Sequence, residues 1–523
     1  MRAERGRLAG LLAGHSWLGL ICSWVLALVF LTGAMTMFQQ EIDLWEKAPA
    51  SLGSVEQPRI SLDRILSATP IPSTVRDKRV EVLLPGAKSA FYHVYVYDEA
   101  GDYEREHAFH PVTGAEWPDP QQSYLGEFLE EFHKRLFLSE GRYIVGIATA
   151  VFLLNIITGL VIHWPKLTWR GLTHPRLDRP RLRWLDLHVS LGIFALPFLI
   201  VITFTGTLFS FSVLLQQSLV AGRLHMNPRP AIALLAPHPP VAELAHIGMR
   251  IEGTDTLIAD AARRLQMTPT RVSLLHVDDR AAMMTVIGEP EGSFAREGRV
   301  SYRLSDRSIA QSRPIANGNA LARGESVLLS LHYGDFGGFA LRLLYFVLAV
   351  AGCILLATGN LHWIEKRLAQ PRLPRGLHLV AGLSVGTCGG GMVALAGSMM
   401  AARLLPPLWP QRADAVVSTF VVLLLASEMV GLIWRRHPRR SLIGLLAAAG
   451  FGYALLPPID WLVFGARLPT AIAAGDWAVP IIELLSAILA LTCFACARWL
   501  RRDPLQAVTL RRTKAKRHEV VEG

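Results

Sequence analysis

Apolar positions along the chain fall into long, nearly uninterrupted runs. Runs of about 20 residues, the length at which a helix crosses a bilayer core of about 30 Å, lie near 17–38, 143–163, 187–214, 341–363, 377–402, 416–434, 441–458 and 478–499. The pattern predicts eight membrane-spanning helices. The first run exceeds the roughly 7–15 residues of a signal-peptide core, and no small-x-small cleavage site precedes Phe38, so it is expected to remain as an anchor. Two long polar segments, 41–140 and 215–335, carry shorter patterns. In the first, Ile60 to Ser67 predicts a helix and Phe91 to Tyr97 an alternating strand, with turns at Asp98 to Asp102 and Val112 to Gly114. In the second, Thr254 caps a predicted helix through Leu265, and Val272 to Val277, Ala282 to Ile287 and Val300 to Leu304 read as strands. Each segment therefore predicts a small α+β domain.

Composition agrees with this division. The 523 residues are 51% hydrophobic and 18% charged, against about 25% charged in an ordinary soluble domain, and the mean hydropathy is +0.33. A conventional water-soluble enzyme is excluded. The net charge of +11 is explained by position. Basic residues crowd the N-terminus, the 165–183 and 364–376 loops, the Arg435 to Arg440 turn and the tail beyond Arg498, all on one side if eight spans alternate. By the positive-inside rule that side is the cytoplasm. Both termini are then cytoplasmic, and the polar segments lie in the periplasm of a bacterial inner membrane. Short basic loops between membrane helices offer no groove-reading element, which argues against nucleic acid.

Cysteine chemistry contributes little. All five cysteines fall inside apolar runs, so no disulfide framework is expected. Cys493 and Cys496 have CxxC spacing, but position 497 is Ala, which excludes a c-type haem attachment. No G-x-G-x-x-G follows a strand, so no dinucleotide site of its own is predicted.

The chain repeats itself. His15 to Thr32-Gly33 and His188 to Thr205-Gly206 both span 17 positions; Arg142 to Thr158-Gly159 and Arg342 to Thr358-Gly359 both span 16. His133 and His332 precede the two arginines at similar distances, and His163-Trp164 and His362-Trp363 follow the two Thr-Gly pairs. The unit is span, polar domain, span, used twice. The four spans after about 377 lack this pattern and form an added module.

Ionisable residues at membrane helices are costly and point to function. A neutral imidazole ligates iron through one ring nitrogen, so histidines on facing helices can hold a b-type haem between them. His15 with His188 at one interface and His133 with His332 at the other would give two haems and an electron path across the bilayer. His163 and His362 compete as ligands. Arg142 and Arg342 are candidate partners for haem propionates. His93, His107 and His110, among tyrosines in the first polar segment, form a second histidine cluster whose simpler reading is an ordinary strand face. Glu428 and Glu483, inside the sixth and eighth spans, could carry a proton or meet a quinol headgroup.

His15-x-x-Leu18-Gly19 to Thr32-Gly33, Gly141-Arg142 to Thr158-Gly159-Leu160 with Trp164-Pro165, Asp186-Leu187-His188 to Thr205-Gly206, and Leu331-His332-Tyr333-Gly334 together resemble the PepSY-associated transmembrane family. The family includes iron-regulated inner-membrane proteins and ferric-siderophore reductases. The resemblance covers about 1–370 and implies four core helices, two periplasmic PepSY-like domains, two b-type haems and the ligands His15, His188, His133 and His332.

The fold expected is a polytopic α-helical membrane protein. Its parts are a first transmembrane helix (1–40), a PepSY-like domain (41–140), the second and third helices (141–214), a second PepSY-like domain (215–335), a fourth helix (336–370), a four-helix C-terminal module (371–500) and a basic cytoplasmic tail (501–523). The expected function is transmembrane electron transfer by an oxidoreductase that reduces a ferric siderophore or other ferric chelate for iron acquisition, fed by a quinol or a cytoplasmic reductase. The rival readings are a non-enzymatic membrane protein that binds a periplasmic partner, and a metal permease.

Overall fold

The computed structural model describes residues 2–46, 59–71, 79–85, 91–97, 103–117, 125–177, 179–219, 243–290, 298–313, 320–334, 336–368, 370–406, 409–474 and 477–502. The turn expected at Asp98 to Asp102 and nearly all of the basic tail lie outside these residues. From the N-terminus, α1 (Arg2–Thr36) and α2 (Gln39–Glu46) precede α3 (Leu62–Ala68), β1 (Val80–Leu83), β2 (Tyr92–Tyr97), β3 (Tyr103–Phe109) and β4 (Glu116–Trp117). Then come α4 (Leu125–Arg135), α5 (Gly141–His163), α6 (Trp169–Thr173), α7 (Pro180–Phe194) and α8 (Leu196–Leu219). The second round comprises α9 (Thr254–Leu265), β5 (Met267–Leu275), β6 (Met283–Pro290), β7 (Gly298–Arg303), β8 (Ile309–Arg313), α10 (Ala320–Tyr333) and α11 (Gly338–Leu368). The chain ends in α12 (Leu377–Leu404), α13 (Arg412–Ile433), α14 (Pro438–Phe464), α15 (Arg467–Ala474) and α16 (Ala478–Arg502).

Among the described residues, eight helices are long and apolar enough to cross a membrane, and they coincide with the eight predicted runs. This is a multi-pass membrane protein. The third run differs in one respect, because α7 stops at Phe194 and α8 begins at Leu196. Pro197 has no N–H to offer the preceding turn, so the helix breaks there.

Two compact units are distinguished: 1–39, 125–210 and 343–523 form one, and 40–124 and 211–342 the other. The boundaries move α4, expected in the first polar domain, into the helical unit. In that unit Leu26 and Phe30 of α1, Phe152 of α5, Phe198 and Leu199 of α8, and Leu355 and Leu356 of α11 share one buried cluster. The C-terminal module joins it where Leu28 and Leu31 of α1 rest on Gly391 of α12. Helix α4 is held on α13 by Phe128 and Phe132, whose rings lie 5.2 and 5.0 Å from that of Phe420.

Among the described residues, the second unit is built on one antiparallel sheet of eight strands in the order β4-β3-β2-β1-β5-β6-β7-β8. Each polar segment supplies its own helix and four-stranded meander. The meanders are welded edge to edge, with Val80 opposite Leu274 and Val82 opposite Val272. An isolated meander would leave β1 or β5 as an unpaired edge, and pairing them removes both edges at once. Val82 and Val272, both fully buried, belong to a single core shared by the two halves. Gly114, at φ +68°, closes the turn after β3, and a Cβ there would collide with Ile60.

Helices α3 and α9 of this unit exchange caps. Asp63 of α3 accepts from the backbone N–H of Gly253 and Thr254 at 2.7 and 3.0 Å, while Asp255 of α9 accepts from Leu62 N–H at 3.3 Å. Thr254 thus starts the predicted helix, but the cap comes from the other half of the chain. Burial, partly offset by the Leu62 N–H and reinforced by Asp63, holds the Asp255 carboxyl above its ordinary pKa. Removing an N-terminal cap costs about 1 kcal/mol. In the full chain, Asp63→Ala is expected to speed amide hydrogen exchange at 254–258 severalfold while leaving the membrane helices unchanged. Unaltered exchange there would show that the swapped cap contributes nothing.

Candidate functional site

His15 on α1 and His188 on α7 occupy matching places in the two repeats, and the fold brings them together. Their ring centroids lie 6.4 Å apart with the planes at 83°. Each Nδ1 is engaged by a neighbouring helix. His188 Nδ1 stands 3.0 Å from the Leu355 carbonyl of α11. A carbonyl only accepts, so the proton resides on Nδ1 and the lone pair on Nε2. His15 Nδ1 stands 3.0 Å from Thr158 Oγ1 of α5, and that hydroxyl donates to the Asn155 carbonyl at 3.1 Å. It therefore accepts from His15, and the same tautomer results.

Glycine makes these contacts possible. A Cβ on Gly359 would lie 3.1 Å from His188 Cε1, and one on Gly159 would lie 3.2 Å from His15 Cε1. His133 of α4 follows the same rule on α1. Its Nδ1 is 2.8 Å from the Val29 carbonyl, and a Cβ on Gly33 would lie 2.7 Å from its Cε1. In all three seats the helix contributes a carbonyl four residues before a glycine, and a threonine just before it. The sequence shows the Thr-Gly pairs only as markers of the repeat, and their role as histidine seats emerges from the structure. The −4, −1, 0 spacing beside a repeated histidine is the signal that could have revealed it. Burial holds the His133 imidazole below its ordinary pKa against the pull of the Val29 carbonyl and Glu130.

The geometry fits a bis-histidine haem. Two imidazoles on opposite sides of one metal ion, each about 2 Å from it through a ring nitrogen, have centroids about 6 Å apart. His188 also lies deep among the helices yet keeps part of its surface clear of protein. A helix carbonyl or hydroxyl behind each ring is the outer-shell partner that metal-ligating histidines require.

The other expected residues are distributed as follows. His163 and His362 end up close enough to interact electrostatically with each other and with His188, and His163 also with His15. Four histidines thus gather at one end of the helical unit. His332 stands on α10 in the second unit, whereas His133 is in the first. Arg142 donates to the Phe209 carbonyl at 3.2 Å, and Arg342 pairs with Glu41 at 2.6 Å, so the two matched arginines differ in their surroundings. The second histidine cluster does not converge on one point. His93 lies opposite Ala108, and His107 opposite Val94 in the core, so the two rings project from opposite faces of the sheet. Each instead meets a glutamate, His93 with Glu106 at 2.7 Å and His107 with Glu116 at 2.6 Å. Glu428 accepts from Thr387 at 2.7 Å. Glu483 is hydrogen-bonded to Asp460, which also pairs with the buried Arg403 at 2.5 Å. All five cysteines are free.

Comparison with known proteins agrees with the extent of the repeat. A family model described as the PepSY-associated TM region matches residues 12–366, stopping where the C-terminal module begins. A relative in Pseudomonas aeruginosa, bearing the name uncharacterized protein PA4219, is 29% identical over 398 residues, covering 73% of this chain and 89% of its own.

The seats can be tested without any bound group. Gly33→Val should force the His133 ring out of its seat and raise its carbethoxylation severalfold, read by mass spectrometry, with His15 labelling unchanged. Equal labelling of His133 in both proteins would show that the glycine is not what holds the ring.

Proposed function

The chain belongs to the PepSY-associated transmembrane family, and from that premise we propose that it is a b-haem electron carrier of the bacterial inner membrane that reduces a ferric siderophore at the periplasmic face. The observation that supports this most is the facing pair His15 and His188, 6.4 Å apart with both Nδ1 atoms engaged from behind. Haem b bound between them would supply a one-electron carrier inside the bilayer.

The chain's own residues have three tasks in this proposal. His15 and His188 present Nε2 lone pairs. Thr158 and the Leu355 carbonyl fix the tautomer and orientation of those rings. Gly159 and Gly359 let the rings sit against helices α5 and α11, where the surrounding apolar side chains exclude water. A second haem rests on the sequence repeat, with His133 and His332 as its ligands and Arg142 and Arg342 as candidate propionate partners. His163 and His362 are the alternate ligands.

One electron enters from a quinol or a cytoplasmic reductase and leaves to the ferric chelate, where Fe(III) becomes Fe(II). Hard oxygen ligands grip Fe(II) less tightly than Fe(III), so reduction favours release. The rival reading of a membrane-anchored protein that binds a periplasmic partner draws on the continuous eight-stranded sheet, but it leaves the histidine pair without a task.

Two outcomes are expected. Protein purified from haem-replete cells should be red, with a reduced-minus-oxidised spectrum of b type and about two haems per chain. Colourless protein would overturn the reading and leave the partner-binding and permease alternatives. His15→Ala and His188→Ala should each remove about half of the haem, and the same half. If only His163→Ala or His362→Ala does so, the ligand assignment passes to those residues.

A further inference from the structure

The bundle end that gathers four histidines also holds an arginine that meets no carboxylate among the described residues. Arg367 of α11 donates to the Trp363 carbonyl at 3.3 Å. Its guanidinium lies over the Trp363 ring, 3.6 Å from the centroid, and 5.4 Å from the centroid of Trp17. Two other arginines at this end are matched, Arg183 to Glu365 at 3.2 Å and Arg176 to Asp186 at 2.8 Å. A guanidinium has five N–H donors and keeps its charge at any ordinary pH. Arg367 therefore brings a positive charge, with donors to spare, between two indoles.

The two histidine seats set its place. Trp17 follows His15 by two residues on α1. Trp363 follows Gly359, the glycine under the His188 ring, by four residues on α11 and so shares its face. Side chains lean toward the N-terminus of their helix, and Arg367 accordingly turns back over Trp363, away from the helix end at Leu368. The guanidinium thus stands between α1, which carries His15, and α11, which seats His188. Stacking on an indole leaves the edge of the guanidinium open to a carboxylate.

We propose that Arg367 binds a carboxylate of the haem held by His15 and His188. The proposal rests on the haem reading of that pair. Haem carries two carboxylates on one edge, and burying them without a cation is costly. Turning that edge toward the helix ends brings it to Arg367. Arg142 and Arg342 each stand 17 residues before the seat glycines Gly159 and Gly359, about 25 Å along the helix, too far to serve this haem. A lipid phosphate offers the same anionic chemistry, and interfacial arginines commonly extend outward to reach one. It does not account for a side chain folded inward over Trp363, which is itself 5% exposed.

The test titrates haem-free, full-length protein in detergent with haemin and with haemin dimethyl ester, whose carboxylates are blocked. Arg367→Gln should weaken haemin binding roughly tenfold, the size of one charge-assisted hydrogen bond, at the site that His188→Ala abolishes. Binding of the ester there should be unchanged, which also reports an intact fold. Lys366→Gln, which removes an exposed neighbouring charge, should alter neither. The inference is overturned if Arg367→Gln weakens both compounds equally, which marks a packing role. It is also overturned if the variant weakens neither, which assigns the guanidinium to lipid phosphate. Failure of the haem reading is separate, because the unmutated protein would then take up neither compound at this site.

Discussion

A helix carbonyl accepting a hydrogen bond from a histidine ring is the interaction on which the rest of the helical unit is arranged. An imidazole among apolar helices cannot leave its N–H unsatisfied without a cost of several kcal/mol. The nearby acceptors are backbone carbonyls already engaged in the helix ladder, and a carbonyl has a second lone pair. Reaching it requires the ring to lie close against the helix surface, where a Cβ would press on it, and a glycine sits at each of these places. That requirement accounts for the glycine beside each of His15, His133 and His188. Each seat ties a pair of helices, α1 to α5, α7 to α11 and α4 to α1.

The same arrangement decides chemistry. Once Nδ1 is committed to the helix behind it, Nε2 is the only lone pair left, and two such rings converge at a spacing suited to one metal ion. The seats that satisfy buried polarity are thus the seats that prepare the proposed ligands. Elsewhere in the bundle, polar side chains find ordinary partners, as Glu428 does with Thr387 and Arg403 with Asp460.

In the second unit the governing constraint is the sheet edge. Two homologous meanders meet antiparallel along β1 and β5, share a core and exchange carboxylate caps between α3 and α9. This symmetric join is not visible in either segment alone. β1 is only four residues long, and its pairing depends on residues about 190 positions away. Strands β3, β4 and β8 were likewise unmarked, because mixed sequences such as Tyr103 to Phe109 become strands through pairing rather than through alternation.

The sequence by itself determined the eight spans, the duplication and the histidines worth attention, because span length and repeat spacing are local properties that lipid and helix geometry impose directly. It also marked the Thr-Gly pairs without revealing what sits on them. Tertiary structure alone decided which histidines face one another, that His163 and His362 join His15 and His188 at one end, that His93 and His107 are kept apart on opposite faces, and that two expected domains are one sheet. These depend on the height and rotation of helices and on the register between strands distant in sequence, and no local pattern encodes those quantities.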